Sequence, residues 1–231
     1  MIVLNFVKCL LIRGMVSPWK QVVYYDFDTR VDKELLDFLI KTVEATHANV
    51  RGIVCDMGNQ SLLSEIGVYS EEGHFFRNPV NSERKVVVYP YVPHCIKNLK
   101  NHSLDYGMLY MQEDNADTYL GKTDFVHLLK TDADTLKFCP KLTIEHIEVK
   151  GSNRQRVFLA TQLLSESVGK ACSHLLGYFY QSKGKVILTI DKWFDVMNSR
   201  RKFESKEARC GLGKIFLSWS KQSLVLYFIY T

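Results

Sequence analysis

The sequence predicts an α/β fold followed by a mainly α-helical region. Short apolar runs alternate with one amphipathic helical stretch through roughly the first 85 residues, and helical periodicity dominates from residue 141 onward. Of the 231 residues, 46% are hydrophobic, 24% are charged and only 5 are proline, which excludes a disordered or collagen-like chain. The chain is therefore expected to form packed domains.

The first part of the chain predicts three strands and one helix. Apolar runs at 2–12 and 21–27 are typical of strands, as is the shorter run at 49–55. Between them, residues 32–45 place their leucines, isoleucine and valine on one helical stripe, with Asp32 as the N-cap. The order strand, strand, helix, strand indicates an α/β sheet.

The second part of the chain predicts mostly helices. Residues 86–92 form a strand candidate that carries Pro90, and 93–104 a short helix that opens on proline. Residues 112–122 are polar and predict a loop, whereas 155–180 predict one long helix or two abutting helices. Residues 206–231 show no clear period and are interpreted as a divergent tail.

Charge and cysteine usage exclude few partners. The formal net charge of +5 permits contact with phosphates but is too small to indicate nucleic acid by itself. The six cysteines have no zinc-like spacing and are interpreted as reduced core thiols. Lys8 and Arg13 interrupt the apolar start, which therefore predicts a buried strand and no membrane anchor.

Three short segments carry candidate chemistry. Asp56 follows a predicted strand, where α/β sheets present ligand- or metal-binding carboxylates, although a turn aspartate is the simpler alternative. Residues 121–123 resemble the end of a P-loop, but Ala116 stands where that loop needs glycine. Phe194, Asp195 and Asn198 would converge on one small ligand in a helix, unless they form a solvated helix end.

Five motifs together resemble the P-element family of DNA transposases and their THAP-domain relatives. In the order of that family, they are VSPWKQVVYYDF, VCDMGNQ, PYVPHCIKNLKN, LTIEHIEVKGSNRQRVFLATQLLSES and KWFDVMNSR. The resemblance implies an RNase H-like catalytic domain interrupted by a helical GTP-binding insertion. It implies a partial RNase H-like domain over 1–85, the insertion over 86–205 and the tail over 206–231.

The resemblance also implies site residues. Asp56 corresponds to the second acid of a catalytic triad that holds Mg²⁺, where paired ions activate the nucleophile and stabilise the leaving oxygen. Lys97 corresponds to a basic residue that meets nucleotide phosphates. Phe194 resembles the ring that stacks on guanine, and Asp195 the carboxylate that reads its N1 and N2 donors, with Asn198 nearby.

Departures from the family pattern argue against an active enzyme. None of the 18 residues ahead of Trp19 is acidic, so the first strand and its catalytic acid are missing. After the last motif, Glu204 and Glu207 lie too close to supply the third acid. One of three catalytic acids remains, which leaves enzymatic activity uncertain, and the unpaired sheet edge predicts aggregation or homo-oligomers.

The sequence therefore predicts a catalytically incomplete transposase fragment. The resemblance implies GTP and Mg²⁺ as cofactors, transposon-end DNA as the partner of the intact family, a nuclear location and no membrane association. One alternative is a domesticated, non-catalytic remnant that binds nucleotide or protein. An unrelated nucleotide hydrolase is disfavoured because the P-loop is absent.

Overall fold

This computed structural model describes residues 7–15, 19–56, 58–68, 73–110, 118–133, 137–148, 150–199 and 223–230. The chain divides into two compact units, Met1–Tyr91 with Lys214–Thr231, and Val92–Gly213. The sequence placed the boundary after residue 85 and treated everything from 206 as a tail. In the structure, the end of the chain belongs to the first unit instead.

The first unit contains a six-stranded mixed sheet. Its strands lie in the order β2-β1-β8-β3-β5-β4, with β1 antiparallel to β2 and β3 parallel to β5. The unit also contains two helices. In chain order, its elements are β1 (Val7–Gly14), β2 (Lys20–Phe27), α1 (Lys33–Glu44), β3 (Asn49–Cys55), α2 (Gln60–Glu65), β4 (Phe75–Arg77), β5 (Lys85–Pro90) and β8 (Ser223–Tyr230). The predicted α/β class is confirmed.

The strand β8 comes from the end of the chain and lies between β1 and β3. It runs antiparallel to β1 and parallel to β3, and Leu226 is opposite both Ile12 and Ile53. The structure thus differs from the expected sheet, in which a missing first strand leaves an unpaired edge. Without β8, the facing edges of β1 and β3 would each present unpaired N–H and C=O groups, and an apolar strand satisfies both rows.

Helix α1 is the amphipathic helix that the sequence predicts. The Asp32 carboxylate accepts a hydrogen bond from the Leu35 amide at 2.9 Å and caps the first turn. The apolar stripe enters the core of the first unit through four buried side chains, Leu36, Leu39, Ile40 and Val43. At its last turn, buried Glu44 binds Arg84 at 2.6 Å and so joins α1 to the loop before β5.

The second unit is mainly helical and has its own core. It contains one short hairpin, β6 (Met108–Tyr110) with β7 (Thr118–Leu120), and the helices α3 (Val92–Asp105), α4 (Lys122–Thr131), α5 (Ile144–Ile147), α6 (Val157–Leu163), α7 (Glu166–Leu175) and α8 (Gln181–Met197). The region 155–180 thus forms α6, α7 and a 3-10 turn, which matches the prediction of abutting helices. The loop predicted over 112–122 ends in β7, and residues 111–117 lie outside the described part.

The five cysteines within the described residues are free thiols. Cys55, Cys139 and Cys172 are buried in the two cores. Burial raises the pKa of Cys55 and Cys139 to about 11 and that of Cys172 to about 12. A raised pKa keeps a thiol protonated and unreactive, so these three are packing residues. Cys210 lies outside the described residues.

No helix in the described part of the chain is both long enough and apolar enough to cross a bilayer.

Candidate functional site

A groove in the second unit contains the pair of residues that the sequence singled out on α8. It has a volume of about 560 Å³ and lies among α6, the start of α7 and α8. Eight residues line it, namely Thr161, Ser165, Glu166, Ser167, Lys170, Asp191, Phe194 and Asp195. Two predicted site residues, Phe194 and Asp195, are therefore brought to one concave surface.

The groove depends on the close packing of α7 against α8. A methyl group added at Gly184 would lie 2.6 Å from the Gly169 carbonyl oxygen and 2.1 Å from the Ser173 hydroxyl. A methyl group at Gly169 would meet Leu188 at 2.9 Å. The two glycines thus let the helix backbones approach each other, and a larger side chain at either position would move the groove walls apart.

The two α8 residues present different chemistry to the groove. Phe194 is half-buried and packs against the core of the second unit, which fixes its ring. Asp195 is only 6% exposed, so its carboxylate lies in a region where a hydrogen bond to charge is strong. Asp191 lies one helical turn before Asp195 and lines the same groove. An aromatic face beside buried and half-buried carboxylates suits a flat ligand with N–H donors.

The start of α7 supplies most of the remaining polar groups. Ser165 is the N-cap of α7, and Glu166 forms an i,i+4 ion pair with Lys170 at 2.7 Å. Lys170 is the one basic side chain among the residues that line the groove in the described part of the chain. Sequence reasoning missed Glu166, Lys170 and Asp191. The i,i+4 spacing of Asp191 and Asp195 in the sequence was the available signal for Asp191, since a helix places both on one face.

Asn198 lies at the end of α8 and outside the lining of the groove among the described residues. It is the C-cap residue, and its backbone N–H donates to the Phe194 carbonyl at 2.9 Å. It follows Asp195 by three residues, so its side chain belongs to the same end of the helix as the two groove residues.

Lys97 contacts a different segment. Its Nζ donates to the Gln155 side-chain oxygen at 2.8 Å, just before α6 begins. Lys100, on the same face of α3, is 1% exposed and donates to the Asn153 carbonyl at 2.9 Å. Within the described residues, Lys97 is not part of the groove lining. Lys97 therefore contacts the segment 153–155. This segment directly precedes α6, whose residue Thr161 lines the groove.

Asp56 belongs to the first unit and directly follows β3. Its Oδ1 accepts a hydrogen bond from the Gly58 amide at 3.1 Å, which is the turn role that the sequence left open. In the described part of the chain, no three His, Cys, Asp or Glu side chains lie together as metal ligands. The described residues around Asp56 therefore do not fit a magnesium site.

The chain is similar to known proteins over most of its length. Residues 93–210 match the family described as "TNP-like, GTP-binding insertion domain". The chain is 31% identical over 205 residues to the transposable element P transposase of Drosophila melanogaster, covering 85% of this chain and 26% of that protein. It also resembles a chain of the Drosophila P element transposase strand transfer complex, with a TM-score of 0.80 and 28% identity, over 89% of this chain and 48% of that one. The chain thus spans about a quarter of the length of the curated relative.

Proposed function

Because this chain belongs to the TNP-like GTP-binding insertion domain family and is a transposase-like fragment, we propose that its second unit binds guanine nucleotide in the groove beside Phe194 and Asp195. The observation that carries the proposal is the position of this pair. Phe194 and Asp195 line a groove that lies within the matched residues, and their side chains supply the stacking and acceptor chemistry that a guanine base needs.

The two residues divide the recognition of the base. The ring of Phe194 stacks on the purine, and stacking accepts any base because every base has a π-face. The carboxylate of Asp195 accepts hydrogen bonds from the guanine N1 and N2 donors. Adenine has an unprotonated N1 at the corresponding edge, which a carboxylate repels. Selectivity for GTP over ATP therefore comes from Asp195.

Three further residues have proposed contacts with the nucleotide. Lys170 lies in the groove lining and offers an ammonium group to phosphate oxygens. We propose Lys97 as a phosphate contact at the start of α6, and Asn198 as a polar group at the base end of the groove. Both proposals follow the family resemblance, since neither side chain lines the groove among the described residues.

Calorimetry on the full chain tests the nucleotide site. GTP and ATP are titrated into the wild type, Asp195→Asn and Phe194→Leu. We expect Asp195→Asn to remove the preference for GTP, because the amide presents a donor where guanine also donates. Phe194→Leu keeps an apolar group in the core and loses the stacking face, so it weakens both nucleotides by about 1–3 kcal/mol.

Glu145→Gln is the matched control because Glu145 is an exposed acid of the same unit on α5. It should leave both affinities unchanged. Equal wild-type affinities for GTP and ATP, or no binding at millimolar nucleotide, contradict the proposal.

The remaining parts of the proposal concern the intact family. We propose DNA as the partner and the nucleus as the place of action, as in a transposase that works on transposon ends. Mg²⁺-dependent cleavage and strand transfer are assigned to the longer relatives and not to this chain. The alternative, a non-catalytic nucleotide- or protein-binding remnant, is supported by β8, which lies beside β3 and carries no acidic residue.

A further inference from the structure

The segment between α5 and α6 carries a concentration of positive charge. Lys150, Arg154 and Arg156 occur within seven residues, around a 3-10 turn over Gly151–Arg154. Lys150 and Arg156 are exposed. The nearest acid before them in the sequence is Glu148, also exposed. We refer to Lys150, Arg154 and Arg156 as the basic turn.

Helix α3 holds the basic turn in a fixed position. Lys97 binds the Gln155 side chain, Lys100 binds the Asn153 carbonyl, and the Asn101 side-chain amide donates to the Arg154 carbonyl at 3.2 Å. Asp105 completes the row through two hydrogen bonds from the Arg154 guanidinium, the shorter at 2.7 Å. One face of α3 thus contacts three consecutive residues of the turn, which makes the turn a rigid element.

The positive charge of this region exceeds the negative charge that faces it. Burial lowers the pKa of Lys100, and the charges of Arg154 and Lys97 lower it further. The hydrogen bonds of Lys97 to Gln155 and of Lys100 to Asn153 show that both α3 lysines lie against the turn. Asp105 neutralises one of these cations and is the acid in direct contact with Arg154. Three cations, Lys97, Lys100 and Arg154, therefore face one paired acid on two packed elements, before the exposed Lys150 and Arg156 are counted.

The exposed end of the turn also presents an aromatic ring. The Arg156 guanidinium lies 5.9 Å from the centre of the Phe158 ring, and Phe158 is 51% exposed. This cation–π contact restrains the guanidinium of a residue that is itself exposed. Planar donors held in this way suit phosphate oxygens.

We propose that the basic turn is a docking surface for the phosphate backbone of double-stranded DNA. The exposed cations extend along a solvent-facing turn and do not enclose a pocket, which suits a repeating row of phosphates better than the phosphates of one nucleotide. We expect this surface to contact phosphates and not base edges, since Lys150 and Arg156 are its exposed charged groups. The inference rests on the proposed DNA partner and adds where on this chain the DNA lies.

Fluorescence anisotropy with a short labelled DNA duplex tests the surface. The full-length wild type is compared with the double variant Lys150→Ala and Arg156→Ala at salt concentrations between about 50 and 200 mM. The matched control is Lys20→Ala with Lys41→Ala, which removes the same charge from exposed positions of the first unit. Log K falls as log salt rises, and each lost phosphate contact makes this slope less steep by about 0.9. The slope of the double variant should therefore be less steep by about 2, and its affinity should fall by about tenfold or more. The control should lose little of either.

Equal losses in the double variant and the control would overturn the proposal, because they would mean that only net charge matters. GTP titration of the same proteins separates the two proposals. A double variant that binds DNA normally but loses GTP would show that the basic turn serves nucleotide phosphates, which also overturns the inference. A wild type that binds DNA with the expected variant effect but binds no GTP would leave the basic turn standing and remove the nucleotide site.

Discussion

Lys100 is the most deeply buried cation that the structure describes, and it lies beneath the basic turn. Its side chain is 1% exposed and makes one hydrogen bond to the Asn153 carbonyl. Burial comes first among the causes that lower its pKa from the ordinary 10.5, followed by Arg154 and Lys97, with Asp105 opposing them. The folded state therefore disfavours the charged form of this lysine relative to the unfolded chain.

This shift predicts a pH dependence of stability. Between the lowered pKa and 10.5 the unfolded chain binds more protons at this position than the folded chain does, so the free energy of unfolding rises with pH in that window. Lys100→Met removes the titrating group and keeps most of its volume. We expect the difference in unfolding free energy, wild type minus variant, to grow from neutral pH toward 10.5, as measured by urea denaturation.

Lys130→Met is the control for this series, since Lys130 is exposed on α4. Its unfolding free energy should follow the wild type at every pH. A constant difference between the wild type and Lys100→Met across the range would show that the buried ammonium does not titrate differently in the folded state.

At the scale of single residues, the sequence predicted two of the residues that line the groove and missed the others. Phe194 and Asp195 are adjacent in the chain, and a helical register is sufficient to place them together. Glu166 and Lys170 reach the same groove from another helix, through the glycine contacts between α7 and α8. No local pattern encodes such a contact, because it depends on how two helices pack.

The strand β8 is the element on which the first sheet depends. It is the link between the β1-β2 hairpin and the β3-β5-β4 half, since these two halves join through β8 in the strand order. Leu226 pairs with both neighbours at the middle of the strand. A proline at this position has no backbone N–H for the hydrogen bonds between the strands, and proline is not tolerated in a central strand.

We therefore expect Leu226→Pro to destabilise the first unit and leave the second unit intact. Thermal unfolding is monitored by amide hydrogen exchange. Exchange in β1 and β3 should be faster in the variant than in the wild type, and exchange in α7 and α8, the internal control, should be unchanged. Exposed edges on both halves should also promote association, which size-exclusion chromatography would detect. Unchanged protection in β1 and β3 would mean that β8 does not support the sheet in solution.

At the scale of elements, local sequence was sufficient where the pattern and the partner were close in the chain. The run 49–55 is short and apolar, and it forms a strand as predicted. Helix α1 has clear helical periodicity and the N-cap Asp32, and it forms as predicted. The interpretation of 206–231 as a divergent tail missed β8, although an apolar run such as SLVLYFIY is consistent with a buried strand. Its partners lie far away along the chain, and a pairing of such long range leaves no local signal.

The whole molecule combines a sheet unit that carries Asp56 and a helical unit that contains a groove. A two-metal site for DNA cleavage would require several carboxylates around the reacting phosphate. Asp56 follows β3, and the strands on either side of β3 are β8 and β5. Their sequences, SLVLYFIY and KVVVYP, contain no aspartate or glutamate. The two strands next to Asp56 therefore offer no second carboxylate.

From this we predict that the purified chain neither cuts nor joins DNA. The measurement incubates labelled transposon-like duplexes with the chain, Mg²⁺ and GTP, and resolves the products on a denaturing gel. No cleaved or joined product should exceed the protein-free reaction, even where the anisotropy assay shows that DNA is bound. A Mg²⁺-dependent product that Asp56→Ala abolishes would contradict this, because one carboxylate would then be sufficient or others would be supplied by a second copy. Binding without turnover is the behaviour expected if the groove binds nucleotide and the basic turn binds DNA while a strand without acidic residues lies beside Asp56.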